Sequence, residues 1–336
     1  MQLPPPLRRA IEQELAVCGT AQLRAASARI SQCYRQGTAR AAGGGALADD
    51  LQRAAYLAVR MPATFAAVAA ALGWTRQAYG NESGAEIRTM LDLGSGPGTA
   101  LWAAAQVFPT LGSATAIERD PRMIEIARRL STDSEDPAVR HATWLRGDLT
   151  LGLGNEVLPA GTWDLVVCSY ALNELGEAQR AELIRQAWAR CAKLLVVVEP
   201  GTMAGFAKVL AVRTRLLAAG AYLAAPCPNS LACPMAGGGD WCHFAARIER
   251  TASHRRLKEA TLGHEDEKFS YIAFSRTALE DESQSPRSRI VRHPRIFSGY
   301  AQLTLCREGE IAATTVTRSH KEDWRRLKRL GWGDRW

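Results

Sequence analysis

The chain has 336 residues, of which 47% are hydrophobic and 23% are charged, so one large or two modest globular domains are expected. No run approaches the roughly 18 apolar residues of a membrane span, which argues against an integral membrane protein. The formal net charge of +8 indicates an anionic partner, and nucleic acid is the first candidate.

The N-terminal part of the chain is predicted to be helical, up to about residue 80. Apolar residues recur at four-residue spacing from Leu7 to Leu15, and a second such pattern starts at Leu23. The glycine run at 43–45 predicts a break, and a further, alanine-rich helix starts at Pro62. The arginine-rich beginning is similar to an organelle transit peptide, but acidic residues within its first helical pattern favour a segment of the mature protein.

The next part of the chain alternates between strand and helix patterns, which is typical of a parallel α/β sheet. The predicted strands are 87–93, 114–118, 141–146, 163–168 and 193–199. The predicted helices are 98–107, 121–131 and 177–191. Three later segments with strand patterns are expected to complete the sheet in antiparallel orientation. They are 269–276, 302–306 and 311–316.

A glycine turn follows the first predicted strand. The strand ends around Asp92, and glycine recurs at Gly94, Gly96 and Gly98 before a helix begins. Such a turn lets a ligand approach the main chain, and the helix start offers free N–H groups to an anionic group. A dinucleotide fingerprint would need a third glycine where Thr99 stands, so this is not a standard dinucleotide site.

An acidic residue two positions before the first glycine is the register of S-adenosylmethionine-dependent methyltransferases, whose first motif this stretch resembles. Glu118 ends the next strand, 26 residues after Asp92, where a carboxylate can accept both ribose hydroxyls. Asp148 follows the third strand, where the methyltransferase fold places an adenine contact. The resemblance implies a cofactor site made of Asp92, Gly94, Ser95, Gly96, Gly98, Glu118, Asp148 and Leu149.

No catalytic residue can be assigned from the sequence. Tyr170 to Leu175, YALNEL, follows the fourth strand, where ligands bind in such sheets. The D/N-P-P-Y/F motif that holds a target nitrogen in many amino-methyltransferases is absent. Asn173 and Glu174 are candidates for a substrate contact, and a helix-capping, solvated pair is the alternative reading.

Three cysteines lie in a loop rich in proline and glycine, PCPNSLACPMAGGGDWCHF. Cys227, Cys233 and Cys242 are separated by five and eight residues, and the loop has too few large apolar residues to fold by burial alone. We expect a metal, with Cys306 as fourth ligand and His243 or His264 as substitutes. The wide gaps and the Cys-Pro pairs favour an iron–sulfur cluster, with zinc and plain burial as the alternatives.

The cysteine loop and the segment that follows it resemble a known protein family. The segment DWCHFAARIERTASHRRLKEATLGHEDEKFSYIAFSR, with VEPGT upstream and WGDRW at the end, resembles methyltransferase-like small-ribosomal-subunit assembly proteins of mitochondria and bacteria. The resemblance covers roughly residues 50–336. It implies a seven-stranded methyltransferase (Rossmann-like) α/β fold and a 4Fe–4S cluster on Cys227, Cys233, Cys242 and Cys306. It does not decide whether the chain methylates anything.

These expectations give five segments and a set of partners. The segments are an N-terminal helical region (1–80), a methyltransferase core (81–205), a cysteine-rich insertion (206–267), strands completing the sheet (268–317) and a basic tail (318–336). The partners are small-subunit rRNA and ribosomal proteins, with no membrane, and the chain is expected to be monomeric off the ribosome. A bacterial cytoplasm is the first expected location, and the mitochondrial matrix is the alternative.

Three basic patches support RNA as the partner. They comprise Arg247, Arg250, Arg255, Arg256 and Lys258; Arg287, Arg289, Arg292 and Arg295; and Arg325, Arg326, Lys328 and Arg329, with Trp324 and Trp332 as stacking candidates. The leading hypothesis is an rRNA-binding assembly factor that keeps a methyltransferase fold and a structural cluster. An active rRNA methyltransferase is second, and a small-molecule methyltransferase is third.

Overall fold

The structure is a computed structural model that describes residues 1–36, 49–80, 86–154, 158–258, 261–279 and 288–336, with backbone only for 31–36. The predicted glycine break at 43–45 and the predicted basic residue Arg287 lie outside the described residues.

The N-terminal region is helical where it is described, as predicted. Its helices are α1 (Pro5–Ala16), α2 (Thr20–Gln36), α3 (Asp50–Val59) and α4 (Met61–Tyr79). Asp49 caps α3, because its carboxylate accepts the backbone N–H of Gln52 at 2.7 Å. Trp74 of α4 packs its ring against three aromatic rings of the sheet, those of Phe244, Phe269 and Tyr271.

Within the described residues, no single helix has the length and apolarity to cross a membrane, although α3 and α4 taken together, with a 48° bend between them, meet the length and composition test.

The main sheet contains eight strands in the described part of the chain. They are β1 (Thr89–Leu93), β2 (Ser113–Glu118), β3 (Thr143–Arg146), β4 (Trp163–Ser169), β5 (Cys191–Pro200), β6 (Tyr222–Ala225), β7 (Phe244–Glu249) and β8 (His264–Ser275). The order is β3-β2-β1-β4-β5-β8-β6, and β7 extends the sheet by pairing with β8. The first five strands are parallel, as predicted, and β8 is antiparallel to β5.

Helices cover both faces of this sheet, so its central strands are apolar throughout. The helices that follow the N-terminal region are α5 (Thr99–Val107), α6 (Pro121–Ser131), α7 (Pro137–Arg140), α8 (Glu177–Ala189), α9 (Met203–Ala218) and α10 (Ala252–Lys258). The N-terminal helices, α5 and α6 pack on one face, and α8 and α9 pack on the other. This doubly wound arrangement brings the carboxyl ends of β1, β2 and β4 to one edge.

The prediction for the end of the sheet was partly wrong. Segment 269–276 does pair with β5, as expected, but 302–306 and 311–316 do not join the main sheet. The insertion itself supplies β6 and β7 instead. Strand patterns alone could not distinguish these alternatives, because β6 has only four residues and is followed directly by Pro226.

The C-terminal strands form a second, small sheet. It contains β9 (Arg289–Ile290), β10 (Arg295–Ile296), β11 (Tyr300–Arg307) and β12 (Glu310–Thr317), and β11 pairs with each of the other three. Helix α11 (Lys321–Leu327) covers one face with Trp324 and Leu327.

The basic segment 318–336 therefore packs against the body of the protein and is not a free tail. Its end reaches α4, where Trp74 Nε1 donates to Asp334 Oδ1 at 3.1 Å.

Candidate functional site

The turn after β1 brings its backbone close to neighbouring side chains. Gly94, Gly96 and Gly98 have positive φ values of 72°, 54° and 83°. A Cβ on Gly94 would lie 2.8 Å from Cβ of Ala171, and one on Gly98 would lie 2.8 Å from the ring of Trp144. Glycine is therefore needed at both positions for backbone conformation and for space.

The helix that follows this turn begins without a side-chain cap in the described structure. Gly98 is its N-cap residue, and the turn itself is fixed by the Ile117 carbonyl, which accepts the N–H groups of Gly94 and Ser95. Ser95 Oγ donates to the same carbonyl at 3.3 Å. The first turn of α5 therefore presents backbone N–H groups at this end of β1, and that of Leu101 faces the carboxylate of Asp92.

Asp92 lies at the carboxyl end of β1 and is 1% exposed. Neither of its carboxylate oxygens makes a well-aligned hydrogen bond within the described part of the chain. Burial, with the carboxylate of Glu118 nearby, raises the pKa of Asp92 to about 7. The backbone N–H of Leu101 offsets part of this rise in pKa. A buried carboxylate with so little compensation is costly, so this group is suited to a cationic ligand.

Glu118 and Asp148 lie beside the same turn but already hold backbone groups. Glu118 Oε2 accepts the N–H of Gly96 at 2.9 Å, and its Oε1 accepts that of Asp120 at 2.9 Å. Asp148, which directly precedes Leu149, accepts the N–H of Thr150 with its Oδ1 at 2.9 Å. A carboxylate has about four lone-pair sites, so both groups retain capacity for ligand hydroxyl or amino groups.

Arg119 lies between two acidic residues near the glycine turn, Asp148 and Glu174. Its guanidinium lies 4.0 Å from Asp148 and 3.4 Å from Glu174, which belongs to the YALNEL segment. Glu174 was predicted either to contact substrate or to lie in solvent, and it is more than half exposed and paired with Arg119. Asn173 lies in the same short 3-10 turn, Leu172–Glu174.

The sequence analysis missed a buried polar cluster beyond the end of β4. Tyr170 has a φ of 58°, a conformation that non-glycine residues rarely adopt, and its hydroxyl donates to Glu267 at 3.2 Å. Arg60 also binds Glu267, at 2.9 and 3.3 Å. Glu199 at the end of β5 is fully buried, and burial raises its pKa to about 7. The sequence analysis singled out the segments that contain Tyr170 and Glu199, but it could not predict the cluster, because its members come from four distant segments.

The four predicted cysteine ligands line one cavity. Cys227 follows β6, Cys233 lies in the loop, Cys242 precedes β7, and Cys306 is on β11 of the small sheet. Burial and the neighbouring thiols raise the pKa of Cys306 to about 12, and they also raise the pKa of Cys242 well above its usual value. The grouping that was predicted from spacing is therefore present, and it joins the two sheets.

These thiols are not arranged for a single metal ion. Among the described residues, no three His, Cys, Asp or Glu side chains converge closely enough to hold one. The proposed substitutes do not line the cavity, because the His243 ring lies between Trp241 and Trp332, and His264 is at the far end of β8.

Two buried arginines border the thiols, and sequence reasoning did not find them. Arg213 donates to the carbonyl oxygens of Asn229 and Leu231, and Arg289 donates to that of Pro226 at 2.7 Å and to Gly333 at 2.8 Å. Neither forms an ion pair with a carboxylate in the described structure. Their charges favour thiolate over thiol at Cys227 and Cys306.

Some of the residues predicted to contact RNA are buried. Arg289 is 3% exposed and Trp324 is 8% exposed, so neither can reach a phosphate or a base. Arg255 and Arg256 lie on α10, whereas Arg247 lies on β7 and pairs with Asp266. Arg292 pairs with Asp240. The cationic surface is consequently smaller than the sequence indicated.

Comparison with known proteins gives two curated relatives. The human mitochondrial ribosome assembly protein METTL17 is 27% identical over 297 residues, covering 83% of this chain and 61% of the human protein. The mitochondrial Rsm22-cox11 tandem protein 2 of fission yeast, Schizosaccharomyces pombe, is 24% identical, covering 85% of this chain and 43% of that protein. The chain thus spans less than two thirds of either relative.

Solved structures with partial similarity are methyltransferases. The magnesium protoporphyrin IX methyltransferase of Synechocystis is 13% identical with a TM-score of 0.41, covering 76% of this chain and 100% of that chain. The precorrin-6y C5,15-methyltransferase of Geobacter metallireducens is 15% identical with a TM-score of 0.38, covering 62% of this chain and 87% of that chain.

The remaining comparison concerns protein families. The profile described as "Mitochondrial small ribosomal subunit Rsm22" matches residues 50–336, which is most of the chain and includes the glycine turn, the thiol cavity and the small sheet. The chain therefore belongs to the Rsm22 family.

Proposed function

We propose that this chain is an assembly factor of the small ribosomal subunit that binds S-adenosylmethionine beside β1 and holds a 4Fe–4S cluster between its two sheets. The observation that carries the assembly role is the family match over residues 50–336. The human relative is named a ribosome assembly protein, and both relatives are named as mitochondrial. We accordingly propose the mitochondrial matrix as the location; the bacterial cytoplasm, expected first from the sequence, has no support from these relatives.

The residues at the glycine turn fit S-adenosylmethionine. Its positive sulfonium and amino groups would offset the negative charge of Asp92, whose carboxylate is buried at the base of the turn. The uncapped start of α5 would receive its carboxylate. Glu118 and Asp148 would bind the ribose hydroxyls and the adenine amino group with their remaining lone pairs.

The residues of the cysteine cavity fit a thiolate-held cluster. Cys227, Cys233, Cys242 and Cys306 line the cavity, and two buried cations, Arg213 and Arg289, offset the negative charge of four thiolates. When bound, the cluster would cross-link the insertion loop to the small sheet. The role that we propose for it is structural, because its ligands come from segments of the main sheet, the insertion loop and the small sheet.

Small-subunit rRNA and ribosomal proteins are the partners that we propose, and the chain would be monomeric off the ribosome. The C-terminal unit, 288–336, contains eleven Lys and Arg against five Asp and Glu, a difference of +6. The whole chain has a net charge of +8, so most of the excess lies in this unit. Binding to phosphates by such a surface would weaken steeply with salt.

Methylation of rRNA is a second candidate function. It is favoured by the strained Tyr170 at the carboxyl end of β4, because backbone strain at a ligand-binding edge is typical of functional sites. In that case the methyl group would pass from the sulfonium to an rRNA base or ribose atom, and the chain would mainly align the two and exclude water.

The test is made in a strain from which the chain has been removed. Loss of small-subunit particles with intact large subunits, measured by sucrose-gradient sedimentation, is the expected result. Normal small-subunit levels would overturn the assembly role. Mapping of rRNA methylation in the same strain then separates the two candidates. If the chain is an active methyltransferase, one rRNA nucleotide loses its methyl group in this strain, and a Gly96→Arg variant does not restore it.

A further inference from the structure

A stacked pair of aromatic rings projects from the small sheet into solvent. Phe297 lies in the turn between β10 and β11, and Tyr300 begins β11. Their ring centroids are 4.6 Å apart with an angle of 17° between planes, and the two residues are 42% and 38% exposed. Aromatic side chains are normally buried, so an exposed pair held in a stacked geometry indicates a surface that binds a planar ligand.

The sheet face around this pair is polar and open. Arg295 pairs with Gln302, and Gln302 pairs with Thr315, so these three side chains form a row on the face that also carries Tyr300. The three residues are exposed. The opposite face is apolar and covered by α11, which explains why only one face is available to a partner.

This open face leads directly to the thiol cavity. Side chains alternate along β11, so Tyr300, Gln302, Thr304 and Cys306 lie on the same side. The Cys306 end of the face closes the cavity, and the Tyr300 end is exposed. A cluster bound by Cys306 would therefore fix the position of the whole face relative to the main sheet.

A cation without a carboxylate partner lies on the same face as the aromatic pair. Arg295 pairs with Gln302, which places its side chain on the open face, whereas the guanidinium of Arg318 lies 5.3 Å from the Trp324 ring of α11 on the other face. Within the part of the chain that the structure describes, Arg295 forms no ion pair with a carboxylate. An unpaired arginine on a unit with an excess positive charge is complementary to phosphates.

We propose that the open face of the β10–β11–β12 sheet binds single-stranded RNA, with bases stacked on Phe297 and Tyr300 and a phosphate held by Arg295. The inference rests on the proposed function, in that it names the RNA form and the surface by which rRNA is held. A single strand is required because stacking on a side chain needs an exposed base face, which a duplex hides. Gln302 and Thr315 would supply hydrogen bonds to base edges.

The test uses the full chain and a fluorescent single-stranded RNA of about 12 nucleotides, with the matching duplex as comparison. The variant is Phe297→Leu/Tyr300→Leu, which keeps apolar surface but removes both rings. Both residues are well exposed, so the fold should tolerate it. The matched control is Tyr222→Ala, an aromatic residue of the main sheet that is 43% exposed.

Anisotropy titrations should show tighter binding of the single strand than of the duplex. The double leucine variant should lose about tenfold or more in affinity for the single strand, whereas Tyr222→Ala should not. Unchanged affinity of the leucine variant, or no RNA binding by the wild-type chain, overturns the proposal.

Sedimentation with purified small-subunit particles separates this proposal from the proposed function. If the wild-type chain and the leucine variant both sediment with the particles and bind the RNA equally, the surface is wrong and the assembly role stands. If the leucine variant sediments but a Phe297→Ala/Tyr300→Ala variant does not, the face makes an apolar protein contact, which also overturns the RNA proposal. Failure of the wild-type chain to sediment counts against the assembly role itself, whatever the titration shows.

Discussion

Cys242 and Cys306 lie on different sheets, 64 residues apart in sequence, and yet line the same cavity. Cys242 precedes β7 of the main sheet, and its carbonyl accepts the hydroxyl of Ser270 on β8 at 2.7 Å. Cys306 is in the middle strand of the small sheet. The cavity therefore lies between the main sheet and the small sheet, at a place that we call the joint. A ligand that binds both thiols would link the two sheets.

We expect Cys306→Ser to remove the cluster and to loosen this joint. The chain purified without oxygen should be brown, and the variant should lose the colour and melt at lower temperature, because binding of the cluster stabilises the folded state. Visible absorption and a thermal melt are the measurements. Cys168→Ser is the control, since Cys168 is buried in β4 away from the cavity. A colourless wild-type chain with one zinc per molecule would contradict the cluster assignment.

We expect Arg213→Gln to alter the cluster environment. Arg213 is buried on α9, so its removal takes a positive charge from beside the thiolates and lowers the reduction potential of the cluster. The measurement is a redox titration followed by spectroscopy. Arg215→Gln is the matched control, because Arg215 is on the same helix and is exposed. Equal potentials in the two variants would show that Arg213 does not act on the cluster.

We expect Asp92→Asn to stabilise the ligand-free chain and to abolish binding of S-adenosylmethionine. The pKa of Asp92 is raised from 3.8 to about 7 in the folded state, so the folded state binds a proton more tightly than the unfolded state. The free energy of unfolding of the wild-type chain therefore falls as the pH rises between these two pKa values, by about 2–4 kcal/mol in total, and is level above them.

The Asp92→Asn variant lacks this loss, so the difference between its free energy of unfolding and that of the wild-type chain should be small at about pH 4 and largest at about pH 8. Urea unfolding at the two pH values measures it, and calorimetric titration measures cofactor binding. An advantage that does not grow with pH would show that the carboxylate is not penalised by burial. Wild-type affinity for the cofactor in the variant would show that Asp92 does not face it.

We expect Gly98→Ala to weaken cofactor binding and to destabilise the fold. The substitution forces a side chain into a φ of 83° and against the ring of Trp144 at 2.8 Å, which costs at least about 1–2 kcal/mol. Gly73→Ala is the control, because a Cβ there meets nothing within 4 Å and Gly73 is in the interior of α4. That change should be neutral or stabilise by up to about 1 kcal/mol. Equal unfolding free energies in the two variants would contradict the geometry.

The parallel core and its glycine turn could be predicted from the sequence because each depends on a short local pattern. The apolar run that became β4 has both faces buried, and the Asp92-to-Gly98 turn needs positive φ values that only glycine adopts readily. The proximity of Cys227, Cys233 and Cys242 was also predictable, since they lie within one loop that has few large apolar side chains.

The remaining features depend on contacts between distant segments. Nothing local distinguishes Arg289, which is buried against Pro226, from exposed arginines nearby. The Tyr170–Glu267–Arg60 cluster spans 207 residues. In the main sheet the short strand β6 pairs with β8, and β11 belongs to the small sheet. Hydrophobic periodicity does not show which of two strand segments pairs with a given strand.

The position of Cys306 also determines when the thiol cavity can form during biosynthesis. A nascent chain emerges N-terminus first, so three of the four thiols leave the ribosome well before the strand that carries the last one. The contact of Asp334 with Trp74 forms later still. A cluster held by all four thiols would therefore bind only after β11 has been translated, and a messenger truncated before β11 would yield a product that contains the glycine turn but no complete thiol set.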